Sequence, residues 1–335
     1  KQSNGKSAQQ EMHEAAEQFG ITLTQNSYGL YLSNVCGLYK DIVYSLADFQ
    51  RDRLACDVPT LSHVFAAGND QASCPSVVTE EYGKPGYGTV TIRAKNMIYV
   101  AAVNERGTIT NFSSMGPQDD GRLFPIVSAK GESVYSVRPV SGYQRLSGTS
   151  MACPTTTGHL ALLQERYRQV NSGANVRNDV LKAIVANTAN EAGRKGPDFT
   201  YGYGILDAEK AVQAIENEYY LTGELAHGAK ATHSVQVPAW ATGLKVMLVW
   251  NDPPISKPVE WGQSVLVNDL DLSVNAGGTD WAPWVLNPTK DHVEDLPERK
   301  VDRLNNIEQV TLSSAELNGA QKVEVNIGAH RVANG

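Results

Sequence analysis

Apolar positions follow a helical repeat up to about residue 217 and a strand repeat beyond it. Residues 8–19 put Met12, Ala15, Ala16 and Phe19 on one side, which predicts a helix with that side inward and Gly20 as its stop. Residues 21–24 read as a short strand that ends in Asn26-Ser-Tyr-Gly29, and residues 38–51 predict a second helix. The runs 62–67 and 98–103 are short and apolar almost throughout, the pattern of strands buried on both faces. Residues 71–96 between them are rich in Gly, Pro and Ser and read as a long surface loop. Residues 109–117 and 119–121 are rich in turn formers, and 155–169, 177–187 and 207–217 predict three further helices. Buried strands alternating with helices predict a parallel α/β sheet.

The tail reads differently. Short β-rich runs at 234–237, 244–250, 270–274, 308–312 and 322–327 are separated by Pro, Gly and Asn, which predicts an antiparallel β-sandwich. The division expected is therefore 1–218 and 219–335.

Composition narrows the function classes. A net charge of -7 argues against nucleic-acid binding, which needs a basic footprint. No apolar run reaches the ~18 residues of a membrane span. Cys36, Cys56, Cys74 and Cys153 lack metal-site spacing. Cys153 is expected to be a buried small hydrophobe. One disulfide among the other three is expected, with Cys36–Cys74 as the pairing, and this suits an oxidising, secreted or cell-surface setting.

The chemistry centres on Leu146-Ser-Gly-Thr-Ser-Met-Ala-Cys-Pro154. Gly148 allows a tight turn, Pro154 suits a first helical turn, and Ser150 then stands at a helix start whose free N–H groups favour a developing negative charge. A serine hydroxyl needs a base before it attacks a carbonyl.

Ser147-Gly-Thr-Ser-Met-Ala-Cys-Pro154 resembles the nucleophile motif of the subtilisin-like serine proteases, the subtilases. Phe65-Ala-Ala-Gly-Asn-Asp70 resembles the family's oxyanion-hole motif, which implies Asn69 as a catalytic donor beside Ser150. Gln25-Asn-Ser-Tyr-Gly29 resembles the strand that binds substrate backbone, which implies Ser27, Tyr28 and Gly29 as one side of the primary specificity pocket. Ala66, Ala67 and Gly68 would be the other side, small enough to admit large apolar side chains. Asn111-Phe-Ser-Ser-Met-Gly-Pro117 and Gly202-Tyr-Gly-Ile-Leu-Asp-Ala208 resemble two further family segments. Val249-Trp-Asn-Asp252 and Leu266-Val-Asn-Asp-Leu-Asp-Leu272 resemble the C-terminal jelly-roll domain of certain secreted bacterial subtilases. The implied fold is a parallel-sheet subtilisin-like α/β domain, incomplete at its N-terminus, followed by an antiparallel jelly-roll sandwich. A structural calcium site at Asp252, Asp269 and Asp271 is expected from the same resemblance, although Asp269 and Asp271 also alternate as a solvated strand face would. The chemistry itself needs no cofactor.

Subtilases use an Asp-His-Ser triad in that order. Neither the D-T/S-G aspartate motif nor the H-G-T/H histidine motif occurs in this chain. His13, His63 and His159 read as structural or solvated, as do His227, His233, His292 and His330 in the tail. The expectation is a polypeptide trimmed at both ends, or a naturally incomplete pseudoenzyme. Its partners would be a protein or peptide substrate and either a missing segment bearing Asp and His or a second copy of the chain. Alone, it is expected to be inactive.

Overall fold

The computed structural model describes residues 5–333. Helix α1 is Ala8–Phe19, capped by Ser7 and by left-handed Gly20. Strands β1 (Leu23–Asn26), β2 (Ser62–Ala66), β3 (Ile98–Val103) and β4 (Val127–Lys130) form one parallel sheet in that order. β2 and β3 are buried along their whole length; β3 is the near-continuous apolar run such a strand favours, and β2 buries Ser62 and His63 as well. Helices α2 (Leu46–Asp57), α3 (Pro75–Tyr82), α4 (Thr149–Val170), α5 (Asn178–Thr188) and α6 (Ala208–Glu216) complete this α/β part. The long helix α4 packs along all four strands. An antiparallel hairpin, β5 (Val134–Val137) and β6 (Tyr143–Leu146), leads into it.

Three expectations are corrected. Phe19 lies outward at 78% exposure, and α1 buries no residue fully. The helix expected at 38–51 begins later, because Ser45 and Asp48 form a capping box that starts α2 at Leu46. A 3₁₀ turn, Cys36–Asp41, precedes it. The supposed surface loop at 71–96 holds α3, and its second half is core: Val90, Ala94 and Met97 are fully buried, with Arg93, Lys95 and Asn96 beside them.

Burying that polar segment requires partners for its backbone and its charges. Two buried aspartates one turn apart on α2 supply the first. Asp48 accepts from the N–H groups of Arg93 and Ala94, and Asp52 from those of Lys95 and Asn96. Arg93 pairs with Asp119 at 2.9 Å. Lys95 pairs with Asp252, and its ammonium also donates to the carbonyls of Pro253 and Val265. Asn96 exchanges hydrogen bonds with the backbone of Asp252 and accepts one from Asn306.

The partners of the Lys95 and Asn96 side chains belong to the tail. Its strands are β7 (Lys230–Gln236), β8 (Gly243–Val249), β9 (Asp269–Ala276), β10 (Thr279–Trp281), β11 (Trp284–Val285), β12 (Glu298–Arg299), β13 (Ile307–Ser313) and β14 (Lys322–Arg331). They pair antiparallel in the orders β10-β9-β14-β7, β13-β8 and β11-β12. Leu272, Val274, Val310, Leu312 and Val323 form the core of the resulting β-sandwich. It joins the α/β part through the buried polar junction at Lys95 and Asn96.

Candidate active site

The carboxyl ends of parallel strands are where α/β sheets bind ligands, and three of them meet the start of α4 here. At β4, the Gly148 N–H donates to the Gly131 carbonyl at 2.9 Å. Beyond β2, the Asn69 Oδ1 accepts from both the N–H (2.8 Å) and the hydroxyl (3.0 Å) of Thr149. Beyond β1, the Ser27 hydroxyl donates to the Ser150 carbonyl at 3.0 Å. Ser150 is the second residue of α4 and half-buried.

Pro154 explains the last contact and corrects its own expected position. It occupies the sixth residue of α4, in the second turn and not the first. The N–H of residue 154 would ordinarily bond the Ser150 carbonyl, and proline has none. Ser27 takes the acceptor left over.

Thr149 was not singled out by the sequence, yet it fixes the amide. Its hydroxyl accepts from the Gly68 N–H at 3.1 Å while donating to Asn69. With its oxygen occupied, Asn69 has its Nδ2 left to donate. A Cβ at Gly148, where φ is +154°, would lie 3.5 Å from Asn69 Nδ2 and 3.6 Å from the Ser150 N–H nitrogen. Both nitrogens therefore border the space beside Gly148, a position that its positive φ reserves for glycine.

The residues expected to wall a specificity pocket lie at the ends of β1 and β2. Ala66 and Ala67 are buried at the end of β2 and Gly68 half-buried, while Tyr28 and Gly29 are exposed. Tyr28 packs edge-on against Phe65, and its hydroxyl donates to Asn26. The segment expected as surface loop also reaches this strand: Ile92 lies 3.7 Å from the Cβ position at Gly29, and the Thr91 hydroxyl donates to the Leu30 carbonyl at 3.0 Å. Beneath, buried Cys153 contacts the carbonyls of Asn26 and Val64, and burial raises its thiol pKa. Cys36 and Cys74 form the expected disulfide, with Cys56 and Cys153 free.

Among the described residues no histidine hydrogen-bonds the Ser150 hydroxyl. His63 is buried on β2 against Thr24, and burial, with Arg51 nearby, pushes its pKa down to about 4. His159 is half-buried on α4, its pKa lowered by burial. His13 pairs with Glu17, His292 with Asp295, and His227 accepts from the Val332 N–H.

The three carboxylates expected to hold calcium do not form one donor set. Asp252 is enclosed by Lys95 and the N–H groups of Val267 and Asn268, and Asp269 and Asp271 share Arg303. Each already has its cation. Among the described residues no three His, Cys, Asp or Glu side chains converge as a metal site.

A family model described as the subtilase family, Peptidase_S8, matches residues 1–204. The chain belongs to the subtilase family. Subtilisin DY of Bacillus licheniformis is 35% identical over 118 residues, 35% of this chain and 38% of that protein. Thermitase of Thermoactinomyces vulgaris is 34% identical over 150 residues, 45% of this chain and 43% of its own. Serotype-specific antigen 1 of Mannheimia haemolytica is 30% identical over 156 residues, which make up 15% of that protein. The subtilase thus spans less than half the length of these relatives. Among solved structures, the self-cleaved protease domain of PatA aligns with a TM-score of 0.45 at 20% identity, over 63% of this chain and 69% of that one. No helix of the described residues is long and apolar enough to cross a membrane.

Proposed function

We propose that this subtilase carries the nucleophile, oxyanion and substrate-strand portion of a serine endopeptidase. The observation that supports it most is the small space beside Gly148, bordered by Asn69 Nδ2 and the Ser150 N–H. Donors so placed stabilise the oxyanion of a tetrahedral intermediate. The Ser150 Oγ would attack the peptide carbonyl, expel the amine and leave an acyl-enzyme for water to cleave. Substrate would lie as an added strand along Ser27–Gly29, with the residue before the scissile bond between that strand and Ala66–Gly68. The aspartate and histidine would come from outside this sequence, on a preceding segment or a second chain. No cofactor enters the reaction. We place the protein outside the cell or on its surface, with the tail from 219 as a jelly-roll domain. The Cys36–Cys74 disulfide supports that setting.

The absence of both family motifs and of any histidine bonded to Ser150 favours one second reading, a non-catalytic groove that holds extended peptide. Fluorophosphonate labelling tests the pair. Residues 1–335 alone are expected to stay unlabelled, and rapid stoichiometric labelling of Ser150 would reveal a base within them. Joined to a segment bearing the Asp and His motifs, Ser150 is expected to label. Persistent silence there would leave the binding reading standing.

A further inference from the structure

The exit of the substrate strand is held in an unusual way. Tyr28, Leu30 and Tyr31 are all about half exposed or more, so packing does little to fix this side of the pocket. Leu32 is the first fully buried residue after Asn26. Its N–H donates to Asp70 Oδ1 at 3.1 Å, and Asp70 directly follows Asn69 on the opposite side of the pocket. Asp70 is itself fixed from behind: the same oxygen accepts from the Ser73 hydroxyl at 3.0 Å, and its N–H donates to Ser114 Oγ at 3.1 Å. Ser114 in turn donates its N–H to the Gly68 carbonyl at 2.9 Å. A covalent tie runs parallel to this one. Cys36, four residues past Leu32, is bonded to Cys74, four past Asp70, with Cα atoms 5.4 Å apart. Both sides of the pocket are thus joined twice, by a carboxylate and by a disulfide.

We propose that Asp70 and the Cys36–Cys74 bond are specificity-positioning elements that set the width of the primary pocket and hence its preference for a large apolar side chain. This rests on the reading of Ser27–Gly29 and Ala66–Gly68 as the pocket's sides. Asp70 touches no substrate. It acts through Leu32 on the strand and through the loop that carries Asn69. A gap of fixed width rewards a ring that fills it, because contacts are lost steeply with a gap of even a fraction of an ångström. A gap free to widen gives up that reward without losing the backbone hydrogen bonds of the strand.

The test is calorimetric titration of the full chain with two peptides that end in a free carboxylate and differ only in a last residue of Phe or Ala. The unaltered chain is expected to prefer Phe by roughly tenfold or more, a typical discrimination for an apolar pocket. Asp70→Ala, and separately Cys36→Ser with Cys74→Ser, should bring the two affinities within about twofold while binding of the Ala peptide holds. Asp70→Asn keeps the acceptor oxygen and should keep the preference, which a general loss of packing would not predict. If the disulfide variant fails to fold, the contrast of Asp70→Ala with Asp70→Asn decides. A preference unchanged in folded Asp70→Ala overturns the clamp while leaving the pocket reading intact. An unaltered chain that fails to distinguish the peptides overturns both.

Discussion

Lys182 on α5 is 2% exposed, and its ammonium donates to one protein group, the Lys95 carbonyl at 3.0 Å. Burial pushes its pKa down to about 7, with Asp52 opposing and Arg122 reinforcing the shift. Taken from the ordinary lysine value of 10.5, that is a fall of about 3.5 units, or about 5 kcal/mol at about 1.4 kcal/mol per unit. Between pH 7 and 10.5 the unfolded chain holds a proton at this position that the folded chain has released. Stability from this residue therefore rises with pH across that window and is flat below it. Lys182→Met removes the titration. Near pH 6 the variant should be the more stable by a few kcal/mol, since a buried cation without a carboxylate partner is replaced by an apolar chain of similar length. Near pH 10 the advantage should vanish or reverse, because the Lys95 carbonyl loses its donor at a cost of about 1 kcal/mol. Denaturant unfolding of both proteins at each pH unit from 6 to 10 gives the difference curve, in which every other titrating group cancels. A difference independent of pH would refute the reasoning and show that Lys182 keeps its charge.

Two further outcomes follow from contacts described above. Lys95→Met leaves Asp252 charged and buried with no cation, and should cost about 3–5 kcal/mol in denaturant unfolding; joint replacement with Asp252→Leu should recover most of it. Ser27→Ala leaves the Ser150 carbonyl with no donor and should cost about 1–3 kcal/mol. The same change made in a Pro154→Ala background should cost less, since residue 154 then supplies the N–H. Equal costs in both backgrounds would dissociate Pro154 from the Ser27 contact.

How much of this was legible in the sequence depended on where each residue's partner lies. β3, and β2 from Val64 onward, announce themselves because a short apolar run is a local signal. The serine turn and Asn69 were legible as family motifs, and Gly148 as a turn former. Residues 87–96 were misread for the opposite reason. Arg93, Lys95 and Asn96 look solvated by composition, and what makes them interior is Asp48, Asp52, Asp119 and Asp252, the last of these 157 positions from Lys95. No window of local sequence holds that pairing. The contacts of Thr91 and Ile92 with Leu30 and Gly29 were lost with the same segment. Hairpin β5–β6 gave no strand signal because Tyr135, Val137 and Tyr143 are exposed, so no polar and apolar faces alternate. The three acids were grouped without the cations, Lys95 and Arg303, that answer them.

The buried Lys95–Asp252 pair also imposes an order on the birth of the molecule. On the ribosome, Lys95 emerges long before Asp252, and until the tail is made its ammonium has no carboxylate to meet in the interior. The α/β part can collapse early, but sealing residues 93–96 beneath a dry surface while that charge is unanswered would cost several kcal/mol. Closure of the junction thus waits on the arrival of the tail. A chain cut short before Asp252 is expected to keep this segment loose, which limited proteolysis would show as cleavage there. In this way a single ion pair reports to the rest of the fold that synthesis has passed residue 252.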